Sequence, residues 1–80
     1  MKETAFTKKQ GQYLAFIHMY MKINQQPPAE ADMQRYFRVA PPSVHRMVID
    51  LEKQELISRE KGRARTIKIA INLKDVPMLE

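Results

Sequence analysis

Two proline pairs, Pro27-Pro28 and Pro41-Pro42, divide this chain before any packing is considered. Proline lacks a backbone N–H, fixes its own φ and pushes the preceding residue towards extended backbone. No regular helix can run through either pair, so the chain must be built from short elements. Before the first pair, Thr7-Lys8-Lys9-Gln10 reads as a capping box that starts a helix running to about Ile23. Tyr13, Leu14, Ile17, Tyr20 and Met21 share one face of it, and Gly11, Ala15, His18 and Lys22 share the opposite face. Phe16, Met19 and Ile23 make a second apolar strip beside the first.

Between the proline pairs, a short helix is expected from about Ala29 or Glu30 to Phe37. Glu30 and Asp32 would lie in its first turn, where the helix dipole favours negative charge, and Met33 with Phe37 would face the core. Arg38-Val39-Ala40 forms a tight connection, and Pro41 suits the first position of a third helix. There Val44, Met47, Val48 and Leu51 follow the i, i+3, i+4, i+7 pattern of a buried face. Pro42, His45, Arg46, Ile49 and Lys53 fall on the other side. The helix should end near Lys53-Gln54-Glu55. Strands are predicted at Leu56 to Glu60 and Thr66 to Asn72, the second with Ile67, Ile69 and Ile71 on one face, around a loop holding Gly62. Residues 1–6 read as a loose arm, 7–72 as one domain, and 73–80 as a tail whose Val76, Met78 and Leu79 could pack back.

The expected fold is therefore mainly α with a small β-hairpin. Three helices followed by a two-stranded wing describe a winged helix-turn-helix.

Charge is distributed unevenly along this order. The 80 residues carry a net charge of +5, and residues 59–68 hold Arg59, Lys61, Arg63, Arg65 and Lys68 against Glu60 alone. A basic hairpin suits a polyanion, although charge also protects a hairpin edge from unwanted pairing. With no cysteine, neither a disulfide framework nor a thiolate metal site is available. No stretch is long and apolar enough for a signal peptide or a membrane span, so a cytoplasmic protein with no membrane partner is expected. No paired carboxylates, Ser/His/Asp arrangement or glycine-rich phosphate loop appears. The reading is accordingly no enzyme, no metal, no cofactor and no small-molecule substrate.

These residues, in this order, resemble the N-terminal DNA-binding domain of the LexA repressor family. The similarity extends from about Thr7 to Ile71 and rests on Thr7–Gln10, Pro27-Pro28, Met33, Pro41, Leu51 with Leu56-Ile57, and Gly62 with Arg65-Thr66-Ile67. The resemblance implies that the third helix enters the major groove while the wing and helix starts meet phosphate. By position it implies that Pro42, Ser43, His45 and Arg46 face base edges. Three departures stand out. Ala40 replaces a capping hydroxyl, Glu55 stands where a glycine is common, and the turn between the second and third helices has no glycine and is about one residue shorter. Full LexA repressors also carry a self-cleaving peptidase domain with a Ser–Lys pair, for which 80 residues leave no room.

Within this frame Arg46 is the strongest candidate base reader, because its guanidinium can fork onto guanine O6 and N7. A pair with Asp50 is the competing explanation. Ile49 could meet a thymine methyl. Lys61, Arg63 and Arg65 on the wing, Lys53 on the third helix, Lys8 and Lys9 at the first helix start, and Gln34 and Arg35 on the second are candidate backbone contacts. The expected function is sequence-specific binding of double-stranded DNA by a small transcriptional regulator. A winged helix serving protein–protein contact in a larger complex is the alternative. A homodimer on paired half-sites is plausible, with Phe16, Met19 and Ile23 as a candidate dimer surface. Burial of that strip under the wing strands or tail is the simpler expectation.

Overall fold

The computed structural model describes residues 5–80 and contains helices α1 (Lys8–Asn24), α2 (Glu30–Phe37) and α3 (Pro41–Lys53). Strands β1 (Ile57–Ser58) and β2 (Lys68–Ile69) follow, then a 3-10 turn at Leu73–Asp75. The strands pair antiparallel, Ile57 opposite Ile69 and Ser58 opposite Lys68. This is the winged helix-turn-helix order expected from the sequence.

The helix starts follow local chemistry. Thr7 Oγ1 accepts from the Gln10 N–H at 3.0 Å, and Gln10 Oε1 accepts from the Thr7 N–H at 2.9 Å, which completes the capping box. At α2, Ala29 has no side-chain acceptor, but Asp32 reaches back to the Ala29 N–H at 2.8 Å. At α3, Ala40 makes no side-chain cap, and Pro41 and Pro42 stand in the first turn. The loss of one capping side chain at Ala40 is worth about 1 kcal/mol.

The helix ends share an unusual property. Gln25, Arg38 and Glu55 all adopt left-handed backbone, with φ of 61°, 55° and 59°. Glycine is the ordinary residue there because a Cβ is crowded in that conformation. After α3 the Leu56 N–H donates to the Leu51 carbonyl at 2.9 Å and the Glu55 N–H to the Glu52 carbonyl at 3.0 Å. That pair of bonds is a Schellman motif, closed by the apolar contact of two buried leucines. The glycine-free turn between α2 and α3 is made the same way, with Arg38 left-handed and the Val39 N–H donating to the Gln34 carbonyl at 3.3 Å.

One core joins the three helices and the hairpin. Tyr13, Leu14, Phe16 and Ile17 of α1 meet Met33 of α2, Val44, Val48 and Leu51 of α3, and Leu56, Ile57 and Ile67 of the hairpin. Met47, expected on the buried face, is only partly buried, packed against the core at its margin. Tyr13 stacks on Phe37 with ring centroids 4.1 Å apart.

Five expectations need correction. Gly11 and Ala15 are buried rather than on a polar face, because Phe6 and Pro77 cover that side of α1. A Cβ on Gly11 would lie 2.9 Å from the Phe6 ring and 3.0 Å from Pro77, so a larger residue would force Phe6 to shift. Phe6, assigned to a loose arm, thus packs on the domain, while residues 1–4 of that arm lie outside the described residues. The strip Phe16, Met19 and Ile23 divides: Phe16 is buried beside Tyr20, Tyr36 and Phe37, whereas Met19 and Ile23 are exposed. Aromatic side chains of α1 and α2 pack on Phe16.

Ladder pairing is shorter than the apolar pattern suggested, although Ile67, Ile69 and Ile71 do turn towards the core. In the tail Val76 and Leu79 pack on the domain, but Met78 is exposed. Hydrogen bonds fix this segment across α1 and α2. Gln12 Nε2 donates to the Met78 carbonyl at 3.0 Å, the Glu80 N–H donates to Gln12 Oε1 at 2.7 Å, and the Tyr36 hydroxyl donates to the Glu80 carbonyl at 3.1 Å.

Candidate nucleic-acid interface

The apolar stripe of α3 decides which way its other side chains point. Val44, Val48 and Leu51 are fully buried, which turns Pro42, Ser43, His45, Arg46 and Lys53 to solvent and leaves Ile49 half-buried. Pro42, His45, Arg46, Ile49, Asp50 and Lys53 line one shallow depression along this face. Among the described residues, neither Arg46 nor Lys53 forms an ion pair, so the anticipated Arg46–Asp50 pair is not made. A guanidinium not engaged in an ion pair keeps its donors for an incoming group. His45 differs, because its Nδ1 lies 3.2 Å from a carboxylate oxygen of Glu30 at the start of α2. The contact ties the first turn of α3 to the first turn of α2. It also orients the imidazole through one nitrogen, leaving the other available.

The wing is neutralised much more than its local sequence suggests. Arg59 Nε meets Glu52 of α3 at 3.1 Å, Arg63 meets Glu60 at 3.5 Å, and Arg65 meets Asp32 of α2 at 3.1 Å. Five basic side chains here face three carboxylates, Glu60, Glu52 and Asp32, so an excess of four becomes an excess of two. Lys61 and Lys68 are the wing cations with no ion-pair partner among the described residues. Exposure matters too: the Arg63 side chain is 73% exposed, so its surface pair with Glu60 exchanges easily with solvent or another anion.

The tip is shaped by Thr66. Its Oγ1 accepts from the Glu60 N–H at 2.9 Å and lies within donating reach of the Arg63 and Glu60 carbonyls. Gly62 (φ 79°) and Arg65 (φ 59°) supply the left-handed residues that let this loop close.

Arg65 departs from the expectation of a free wing cation. Its Nη1 donates to the Tyr20 hydroxyl at 3.0 Å and to the Pro27 carbonyl at 3.3 Å, beside its pair with Asp32. The guanidinium carbon lies 5.8 Å from the centre of the Tyr20 ring. Asp32 is 7% exposed and also pairs with Arg35. Burial pushes the Asp32 carboxyl up, but the Ala29 N–H and the Arg65 and Arg35 guanidinium groups outweigh it, so the group lies below its ordinary value.

The remaining candidates are dispersed. Lys8 lies 3.8 Å from the Glu80 carboxylate, Lys9 is exposed at the start of α1, Gln34 is half-buried, and Arg35 is an exposed partner of Asp32. Sequence reasoning gave Asp32 only a dipole role and Tyr20 only a core role. Its legible signal was an acid three residues after an uncapped helix start, but nothing in the sequence linked it to Arg65.

Comparison with known proteins identifies the family. The family model described as the LexA DNA binding domain matches residues 3–66. The LexA repressor of Thermotoga neapolitana is 31% identical over 74 residues, covering 91% of this chain and 38% of the relative. That of Thermotoga maritima is 30% identical over 74 residues with the same two coverages. The LexA repressor of Thermosipho melanesiensis is 35% identical over 63 residues, 79% of this chain and 32% of the relative. The chain thus spans 38% or less of the length of these curated relatives. A matched model over most of the chain, on three helices and a hairpin in the expected order, means that this protein belongs to the LexA DNA-binding domain family.

Proposed function

We propose that this chain is the sequence-reading module of a transcriptional regulator of repressor type, bound to double-stranded DNA with α3 in the major groove and the wing on the sugar-phosphate backbone. The observation that carries the reading is the exposed face of α3, where Arg46 and Lys53 have no carboxylate partner among the described residues. An α-helix fits the major groove, and a guanidinium there can take the two acceptors of guanine. Pro42, Ser43 and His45 flank Arg46 on the base side, and Ile49 offers an apolar contact for a thymine methyl. Lys53, Lys61 and Arg63 grip phosphate, with Lys8, Lys9, Gln34 and Arg35 at the margins. Pro41 and Pro42 remove two backbone donors from the start of α3, so phosphate there has fewer N–H groups to meet and side-chain cations supply more of the hold.

Selection from a random duplex pool tests this. A defined preferred sequence is expected, and a palindromic one would show two copies acting together. Affinity for that duplex should fall with salt at a slope of about −0.9 per phosphate neutralised. Recovery of no preferred sequence, with no affinity even at low salt, would refute the proposal.

A further inference from the structure

The wing of this protein has a short ladder, with Thr66 closing its tip. Its ladder consists of the pairs Ile57–Ile69 and Ser58–Lys68, and an isolated two-stranded hairpin is marginal even when longer. What holds the loop lies outside the ladder. Arg59 fastens its base to Glu52 of α3 at 3.1 Å, with the Arg59 side chain 18% exposed. At the return side stands Arg65, whose partners come from three places: Tyr20 on α1, the Pro27 carbonyl in the turn after it, and Asp32 on α2. Arg65 also keeps a left-handed φ of 59° that a non-glycine residue adopts only where its surroundings enforce it.

Asp32 is poorly suited to act as a mere counter-ion that releases Arg65 to a phosphate. It is buried, it caps α2 through the Ala29 N–H at 2.8 Å, and a departing Arg65 would leave it with less compensation. A phosphate approaching Arg65 would also meet the Asp32 charge close behind.

We propose that Arg65 is a positioning residue, which through Asp32 and Tyr20 sets the angle of the wing against α1 and α2 so that Lys61 and Arg63 reach the backbone while α3 reads bases. The proposal rests on the DNA-binding reading above. It reassigns Arg65 from phosphate contact to wing anchor, and it makes Asp32 a residue on which DNA affinity depends although it faces the protein interior.

The sign of one substitution separates the two roles. Were Arg65 a phosphate contact held back by Asp32, Asp32→Asn would release it and strengthen binding, while Arg65→Gln would flatten the salt slope by about 0.9. As an anchor, Arg65→Gln and Asp32→Asn should each weaken binding to the selected duplex about tenfold and flatten the salt slope alike, because Lys61 and Arg63 lose their reach, and the double variant should be no weaker than the weaker single. A scrambled duplex of the same length should lose less, because a misplaced wing still attracts phosphate. Tyr20→Phe removes one acceptor while keeping the ring, and it serves as a milder variant should Asp32→Asn fail to fold. Backbone order of residues 60–66, measured by 15N relaxation on the free protein, should drop in all three variants. Tighter binding by Asp32→Asn, additive losses, or unchanged wing order would each overturn the proposal. If the unsubstituted protein binds no duplex, the DNA-binding reading fails, and the relaxation measurement still decides whether Arg65 holds the wing.

Discussion

Arg46 of α3 and Arg65 of the wing carry the same charge on the same protein, and the fold uses them in opposite ways. Arg46 stands on a helix anchored by Val44, Val48 and Leu51, so its own side chain need anchor nothing and has no ion-pair partner among the described residues. Arg65 stands on a loop beyond a two-pair ladder, and its guanidinium is spent on Tyr20, Pro27 and Asp32. A rigid element leaves its polar residues available, whereas a weak one must use some of them to become rigid. Counting basic residues therefore overstates what the wing offers to a polyanion and understates what α3 offers.

The largest expected effect removes the support common to both regions. Leu51 is buried beneath α3 and closes the Schellman turn that leads into β1. Leu51→Ala should cost about 3 kcal/mol in urea unfolding, by lost burial and a residual cavity, and should loosen helix and wing together. A loss confined to one region would break the comparison.

Next comes the division of labour. Arg46→Ala should cost about 1–3 kcal/mol of discrimination between the selected and scrambled duplexes. Lys61→Ala should weaken both alike and reduce the magnitude of the salt slope by about 0.9. Equal losses on both duplexes for Arg46→Ala would place that side chain on backbone instead.

Smaller effects are expected at the ends of α3. Ala40 has the extended backbone of a cap residue but no acceptor, so Ala40→Ser should raise stability by about 1 kcal/mol. Glu55→Gly relieves a left-handed residue at the other end and should add about 0.5–1 kcal/mol after the entropy glycine retains when unfolded. Thermal melting of each variant would show both.

The smallest effect is a pH dependence on the wing side. Asp32 titrates lower in the folded protein than its ordinary 3.8. A depressed carboxyl contributes stability above the unfolded value, and that contribution is lost as pH falls through the folded one. Wing order should be constant from neutral pH to about 4 and should decline below it. Asp32→Asn should remove this acid limb, measured by 15N relaxation of residues 60–66, and an unchanged limb would assign it to other carboxylates.

Local order along the chain was sufficient for much of this molecule. Proline pairs, the Thr7–Gln10 box and apolar spacing determined where three helices start and which face of α3 is outward, because caps, φ restrictions and helical periodicity act within a few residues. The missing cap at Ala40 and the absent glycine at Glu55 were legible as departures from the family resemblance. Tertiary structure alone decided that Gly11 lies under Phe6 and Pro77, that aromatic side chains of α1 and α2 pack on Phe16, and that the apolar run of the hairpin keeps only two ladder pairs. It alone brought Asp32 to Arg65, Glu52 to Arg59 and Glu30 to His45. Charges remote in sequence pair only once the core has placed their backbones, so the sequence tells how much charge the chain carries, and the packed fold decides how much of it remains free.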